Sequence, residues 1–276
     1  MVRLNNIPFL GSGIGFRRQI SKQILNNAKN IDFLEVITEH YIDVPLAKIE
    51  ELRDISKRFI IIPHGIDLSI GTDMPLDREY LDKVLGVLQL VNPPYYSDHF
   101  CFTKVPGLNI GHLTPLWFTK RTVEVVVKKI KKLQKILKIP IVLENITYVI
   151  DIPNADMSQE EFINRIVDKT NCGLLLDVTN VYTNSINHRF DPKKFIDRLP
   201  LENVVQLHLA GGYWDNGILI DSHSEPVVEE VWMLVEYICK KVLVKATLLE
   251  HDSNFKSFDT LLNQLGRARE ILKKVD

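Results

Sequence analysis

The sequence predicts a single (β/α)8 barrel, and three observations carry that reading. Short apolar runs, mostly β-branched, alternate with longer stretches of helical periodicity along the whole chain. The runs are almost continuously apolar, as strands are when a parallel sheet is covered on both faces. The chain has 276 residues, long for an ordinary domain but usual for one barrel of this kind.

The strands read in order as GIGFR (13–17), FLEVI (33–37), FIIIPHG (59–65), YYSDHF (95–100), IVLENI (141–146), CGLLLDV (172–178), VVQLHLAG (204–211) and ATLLEHD (246–252). Helices are expected between them at 45–57, 77–91, 119–137, 158–170 and 225–241, with a last one near 257–274. Asp77, Thr119, Ser158 and Ser257 suit the caps or first turns of four of these. Two long connections remain, the loops 101–118 and 181–191, and loops of that length are often functional. With no Gly/Ser linker, low-complexity segment or second composition, residues 1–276 read as one domain.

Composition narrows the function. A hydrophobic share of 45% supports a substantial core, and a net charge of −1 with pI near 6.7 offers no field for nucleic acid or an anionic membrane. No window approaches the roughly 18 uninterrupted apolar residues of a membrane span. The N-terminus lacks the apolar core and cleavage site of a signal peptide, so the expectation is a cytoplasmic protein. Cys101, Cys172 and Cys239 are odd in number and scattered, which points to a reducing compartment and excludes a Cys-only zinc or iron–sulfur motif. All three read as packing residues. The basic run KKIKKLQKILK (128–138) sets Ile130, Leu133, Ile136 and Leu137 at helical spacing, leaving the lysines as the solvated face of a barrel helix.

The strand ends carry the chemistry. Glu35, His64, Asp98 with His99, Glu144 with Asn145, Asp177, His208, and Glu250 with Asp252 lie in the C-terminal half of a strand or just past it. In such a barrel those ends converge on one mouth. A lone Asp after a strand ordinarily caps the next helix or sits in a turn, and a lone His in an apolar strand is ordinarily a hydrogen-bonded core residue. Seven of eight strands ending alike instead crowd carboxylates into one pocket, where repulsion and desolvation both oppose ionisation. The stretch GLLLDVTN (173–180) poses the problem locally: Asp177 ends a buried strand and needs a positive partner. Metal cations would resolve both penalties. Imidazole and carboxylate without a strand-end thiolate suit iron, manganese and zinc alike. In DSHSEP (221–226), after the seventh strand, Asp221 and His223 fall on one side of an extended segment and form a candidate for a further metal.

GSGIGFR, FLEVITEH, PHGIDLSIG, SDHFCF, LENITYV, GLLLDVTNVYTN, VVQLHLAGG, DSHSEPV and LLEHD follow one another in this order across 11–270. In these motifs the sequence resembles the DUF692 or UPF0276 proteins, the multinuclear non-heme iron-dependent oxidative enzymes. The resemblance implies a TIM barrel holding two or three irons of mixed Fe(II)/Fe(III) valence, with O2 as co-substrate. It further implies action on a cysteine of a ribosomally made precursor peptide, which a separate leader-binding partner protein presents. By the motifs, His64, His99 and Glu144 hold one iron, and Glu144 bridges to a second held by Asp177, His208 and Glu250. These six form the implied catalytic set. Asn180, Asp221 and His223 match the third-site group, while Asn145, Asp98 and Asp252 stand behind the ligands and orient them. The chain departs from the family pattern at His40 (commonly Asn), His251 (commonly Trp) and Gly212 (commonly His). The two extra imidazoles read as polar surface. The barrel uses the whole chain and leaves no appended domain to grip a leader, hence the expected partner.

Two other readings use the same residues. One is a divalent-metal hydrolase or isomerase of the xylose-isomerase or endonuclease-IV type. Its DNA-binding form calls for a basic mouth, whereas this mouth is acidic before metals are added. The other is a non-catalytic metal-binding scaffold, which needs no open coordination positions.

Overall fold

The computed structural model describes residues 4–255 and 257–273. Position 274 of the last expected helix, and residues 1–3 and 274–276 of the expected domain, lie outside the described residues. Eight parallel strands close into a barrel: β1 (Gly11–Gly15), β2 (Phe33–Ile37), β3 (Ile60–His64), β4 (Tyr96–His99), β5 (Ile141–Glu144), β6 (Gly173–Asp177), β7 (Val204–Leu209) and β8 (Ala246–Leu249). Each lies beside its neighbours in sequence, and β8 closes on β1 with Gly11 opposite Ala246. That is the order expected of successive right-handed βα units.

The helices are α1 (Ser21–Asn26), α2 (Leu46–Ser56), α3 (Arg78–Val91), α4 (Lys120–Leu137), α5 (Gln159–Thr170), α6 (Val178–His188), α7 (Pro192–Asp197), α8 (Glu229–Cys239) and α9 (Phe258–Lys273). The side chains of Asp77, Thr119 and Ser158 accept from the N–H groups of Tyr80, Thr122 and Glu161 at 3.1, 3.2 and 3.3 Å, and Ser257 Oγ accepts from Thr260 at 3.4 Å.

Both long connections differ from the open loops expected. Residues 101–118 form an antiparallel hairpin, Cys101–Val105 against Leu108–Pro115, turning at Gly107 with φ 78°. Most of 181–191 is α6. That helix lacks a continuous apolar stripe because, beside Val178 and Val181, its buried side chains are polar: Thr179, Asn180, Thr183, Asn184 and Ser185. Thr179, Asn180 and Asn184 bond to the neighbouring loops instead. Asn184 donates to the carbonyl of Ile146 at 3.0 Å and accepts from the N–H of Tyr148 at 3.2 Å. A second small hairpin, Tyr213–Asp215 with Ile218–Ile220, turns through Asn216 and Gly217, both at positive φ as an Asn-Gly turn requires.

The basic run needs one correction. Lys129 is buried within α4 and donates to the Ser69 carbonyl at 3.1 Å, burial lowering its ammonium to about 8. The other lysines of the run are exposed as expected.

Two residues of strand advance turn the barrel's plug into a reactive floor. Phe33, Ile62, Val142, Leu175 and Leu248 pack together across the barrel interior. Side chains alternate along a strand, so Glu35, His64, Glu144, Asp177 and Glu250, each two residues on, stand one layer higher on the same side.

Candidate metal centre

His64, His99 and Glu144 are the last residues of β3, β4 and β5. His64 Nε2 lies 3.1 Å and His99 Nε2 3.3 Å from Glu144 Oε2, and the two ring nitrogens are 3.2 Å apart. Bonds of about 2.1 Å to one cation set neighbouring ligand atoms about 3.0–3.4 Å apart. The triangle therefore has the dimensions of a coordination face. Nδ1 of His99 donates to the Gly65 carbonyl at 3.0 Å, which leaves Nε2 as the lone-pair nitrogen, and His64 Nδ1 meets Ser97 Oγ at 2.9 Å. Glycine is required at 65, since a Cβ there would run into the Tyr96 hydroxyl and the Asp98 carboxylate.

Glu144, Asp177, His208 and Glu250 bring one ligand atom each within 4.8 Å of one another. His208 Nδ1 is 3.3 Å from Glu144 Oε1 and 3.1 Å from Glu250 Oε2. Glu144 thus turns one oxygen to each group. Asp177 has two roles at once. Its Oδ1 caps α6 by accepting from the Asn180 N–H at 2.6 Å, while its Oδ2 is buried without a partner. Asn145 brackets the Asp177 main chain, accepting from its N–H at 2.9 Å and donating to its carbonyl at 3.0 Å. Asn180 donates to the Asn145 carbonyl at 3.0 Å and keeps its Oδ1 buried and free. Thr179 Oγ1 both donates to the Ala210 carbonyl and accepts from its N–H, tying the first turn of α6 to the end of β7.

Asp221 and His223 meet above these groups, with Oδ1 and Nε2 2.8 Å apart. His223 sits at φ 50°, an uncommon conformation for a residue with a side chain. Its Nδ1 is 3.5 Å from Glu250 Oε2 and 3.4 Å from Asp252 Oδ2. The convergent set here is His223, Glu250 and Asp252, so Asp252 stands among the potential ligands rather than behind them. Asp98 reaches its neighbouring ligand through the main chain. It does not hold the His99 ring, which is 3.9 Å away, but accepts from the His99 main-chain N–H at 2.7 Å and from the Tyr96 hydroxyl at 3.2 Å. His40 is exposed as read, whereas His251 is buried edge-on against Phe255 and is not surface.

Two further residues serve the site. Arg17, just past β1, donates from Nε to Asp252 at 2.7 Å and reaches Glu250 at 3.4 Å. Its signal was present in GSGIGFR, as a cation aimed into a ring of acids. Glu35 lies 3.1 Å from His208 Nε2 and accepts from Gln206 Nε2 at 2.7 Å; the Gln206 carbonyl accepts in turn from the Tyr95 hydroxyl. A carboxylate on Nε2 leaves Nδ1 of His208 facing the ligand group. Glu35→Gln is expected to weaken metal binding about 10- to 100-fold with the fold intact. Competition against a chromophoric chelator measures this, and wild-type affinity would count against the role.

The charges show what the cluster lacks. Burial opposes protonation of His64, yet the Glu35 and Glu144 carboxylates outweigh it and raise the ring to about 9. His208 is raised in the same way by Glu35, Glu144 and Glu250, and His223 by Glu250 and Asp221. Burial, then Glu144 and Asp221, drive the Asp177 carboxyl well above its usual range. Glu144 Oε2, Asp177 Oδ2, Asn180 Oδ1, His208 Nδ1, Asp221 Oδ1 and His223 Nε2 are all buried without an aligned hydrogen bond. Such atoms cost about 1–3 kcal/mol each, and metal ions would satisfy them together. The residues fit a cluster of cations. Above it opens a cavity of about 360 Å³, walled by the two hairpin regions through His112, Leu113 and Asp221.

Comparison with known proteins gives the family. A family model described as "RiPP precursor modification enzyme MbnB/TglH/ChrH" matches residues 11–273. The chain belongs to this family. A UPF0276 protein of Caulobacter vibrioides is 34% identical over 266 residues, covering 95% of this chain and 94% of the relative. A UPF0276 protein of Acinetobacter baylyi is 36% identical over 262 residues, covering 94% and 90%. Among solved structures, D-psicose 3-epimerase of Clostridium cellulolyticum H10 matches with a TM-score of 0.63 over 96% of this chain and 98% of its own, at 11% identity. That likeness shows the barrel alone. Membership in the MbnB/TglH/ChrH family puts the chain among enzymes that modify precursors of ribosomally synthesised peptides. Among the described residues, no helix is long and apolar enough to cross a membrane.

Proposed function

We propose that the protein is a multinuclear iron-dependent, O2-using oxidase. It modifies a cysteine of a ribosomally synthesised precursor peptide, with a partner protein holding the leader. The observation that carries this reading is the division of Glu144 between two ligand groups, 3.1 and 3.3 Å from His64 and His99 on one side and 3.3 Å from His208 on the other. His64, His99 and Glu144 would hold one iron, and Glu144, Asp177, His208 and Glu250 a second. Asn180, Asp221 and His223, with Asp252 close by, would hold a third. Iron bound there supplies the redox capacity and open coordination positions that oxidation by O2 requires.

The chain's own residues bind, orient and shield. Glu35 and the Gly65 carbonyl fix the ligand rings, Asn145 fixes the backbone of Asp177, and Arg17 holds the outer carboxylates. Gly111, His112 and Leu113 of the first hairpin overhang the cavity and limit the entry of water. All three cysteines are free and buried, in keeping with a cytoplasmic enzyme whose substrate thiol stays reduced until it is modified.

Anaerobic purification with elemental analysis is expected to give more than one iron per chain. Exposure to O2 with the precursor peptide should then change the peptide's mass, far faster with the product of the neighbouring gene present. A preparation that takes one zinc and refuses iron would sink the metal assignment. Full activity from the isolated barrel would remove the partner.

A further inference from the structure

Beside the metal cavity lies a second depression, of about 350 Å³, which of the candidate ligands only Asp221 borders. Four segments wall it: the outgoing strand of the first hairpin with Trp117, the loop after β5 from Thr147 to Pro153, Thr183 and Asn187 of α6, and Leu219–Ile220 of the second hairpin. His112, Leu113, Thr147 and Asp221 line both depressions, so one opens directly into the other.

The walls are apolar and in part exposed. Trp117, Val149 and Ile150 show 48%, 62% and 69% of their surface. Single exposed apolar residues are ordinary, but large ones from different segments lining one concave surface mark a binding groove. Apart from the Tyr148 phenol, the ionisable groups on its walls are His112 and Asp221, and both belong to the boundary with the metal cavity. Everything beyond that boundary is neutral.

One wall is also fixed in place. The Asn187 side chain accepts from the Leu219 N–H at 3.0 Å and donates to the Leu219 carbonyl at 2.9 Å, as a neighbouring strand would. The edge of that hairpin is thereby occupied at Leu219, so a ligand is recognised there by its side chains rather than by an added strand. The groove's volume suits one or two large side chains, not the face of a protein.

We infer that this groove is the subsite for the precursor residues adjoining the modified one, and that it takes bulky, uncharged, apolar side chains. The inference rests on the peptide-modifying reading above. Direct continuity with the metal cavity carries it: a chain whose reacting residue sits at the ligands must run its neighbours along one of these walls. Trp117, Val149 and Ile150 then determine specificity without touching the metals.

Binding of cysteine-free probes tests this apart from any oxidation. Fluorescein-labelled Gly-Ser-Gly-Leu-Phe-Gly and Gly-Ser-Gly-Ser-Ser-Gly are titrated anaerobically against the metal-containing protein and followed by anisotropy. The Leu-Phe probe should bind roughly tenfold more tightly or better, as burial of one such side chain implies. Ile150→Asp and Trp117→Ala should each remove most of that preference with metal content and Tm unchanged. Equal binding of the two probes, no binding of the Leu-Phe probe at millimolar concentration, or an undiminished preference in both variants would overturn the subsite. Because the probes lack cysteine, failure of the full precursor to be oxidised overturns the proposed activity and leaves this result readable on its own.

Discussion

Asp177→Asn is expected to stabilise the metal-free protein at pH 7 and to reduce the stabilisation that metal confers. Burial, reinforced by Glu144 and Asp221, raises the Asp177 carboxyl well above its ordinary range. An acid whose pKa is higher in the folded state binds its proton more tightly when folded. Its ionisation therefore costs folding free energy once pH exceeds the unfolded value of about 3.9, and the cost grows as pH rises toward the folded value. Asn carries no such charge and is an equally good cap for the Asn180 N–H. Relief of an uncompensated buried carboxylate is worth about 1–3 kcal/mol, or a rise in Tm of several degrees at about 2–4 °C per kcal/mol. Calorimetry of chelator-treated protein should show the gain at pH 7 and its disappearance toward pH 4. Added metal should shift the Tm of the wild type more than that of the variant, in which the His64–His99–Glu144 group is intact. An unchanged metal-free Tm would mean that Asp177 is already compensated within the protein.

Glu144→Ala should empty both ligand groups, because its two oxygens belong one to each. Metal held by these two groups is expected to be lost and activity to fall to background, while circular dichroism stays native. His64→Ala should cost one group only. His208→Ala should likewise lose metal with little loss of fold, since the C-terminal face of such a barrel serves chemistry and the opposite face stability. Equal metal loss in Glu144→Ala and His64→Ala would argue against a shared carboxylate. The pH dependence follows from the same groups. His64, raised to about 9, and the raised His208 and His223 hold protons in the metal-free protein, and metal must displace them. Affinity should therefore climb with pH until His64 deprotonates near 9. Chelator competition between pH 6 and 9 measures the slope.

The ligands were legible because strand period and strand polarity together leave little freedom. A residue two positions beyond a core Phe, Ile, Val or Leu in a parallel strand points inward and upward, as Glu35, His64, Glu144, Asp177 and Glu250 do. What sequence periodicity missed was polar burial. Helix α6 carries Asn and Thr where a stripe of Leu or Val would announce a helix, and Lys129 sits among valines on the face that reads as core. Both are satisfied by backbone carbonyls that only the folded chain brings near, Ile146 for Asn184 and Ser69 for Lys129. Arg17 and Glu35 were visible as residues but not as partners, since Asp252 lies 235 positions from Arg17 and His208 lies 173 from Glu35. Sequence motifs could likewise not tell that Asp98 grips the His99 backbone rather than its ring.

Helix α6 joins features that otherwise look separate. It starts on Asp177 at the metals, grips the loop after β5 through Asn184, and grips the second hairpin through Asn187. Its 11 residues make a rod about 16 Å long. A rod anchored at one end by a metal ligand acts as a lever. A rotation at Asp177 on metal binding would reach Asn184 about two turns away and Asn187 about three turns away, and with them two walls of the apolar groove. The expected consequence is that filling of the ligand groups and the width of the groove change together.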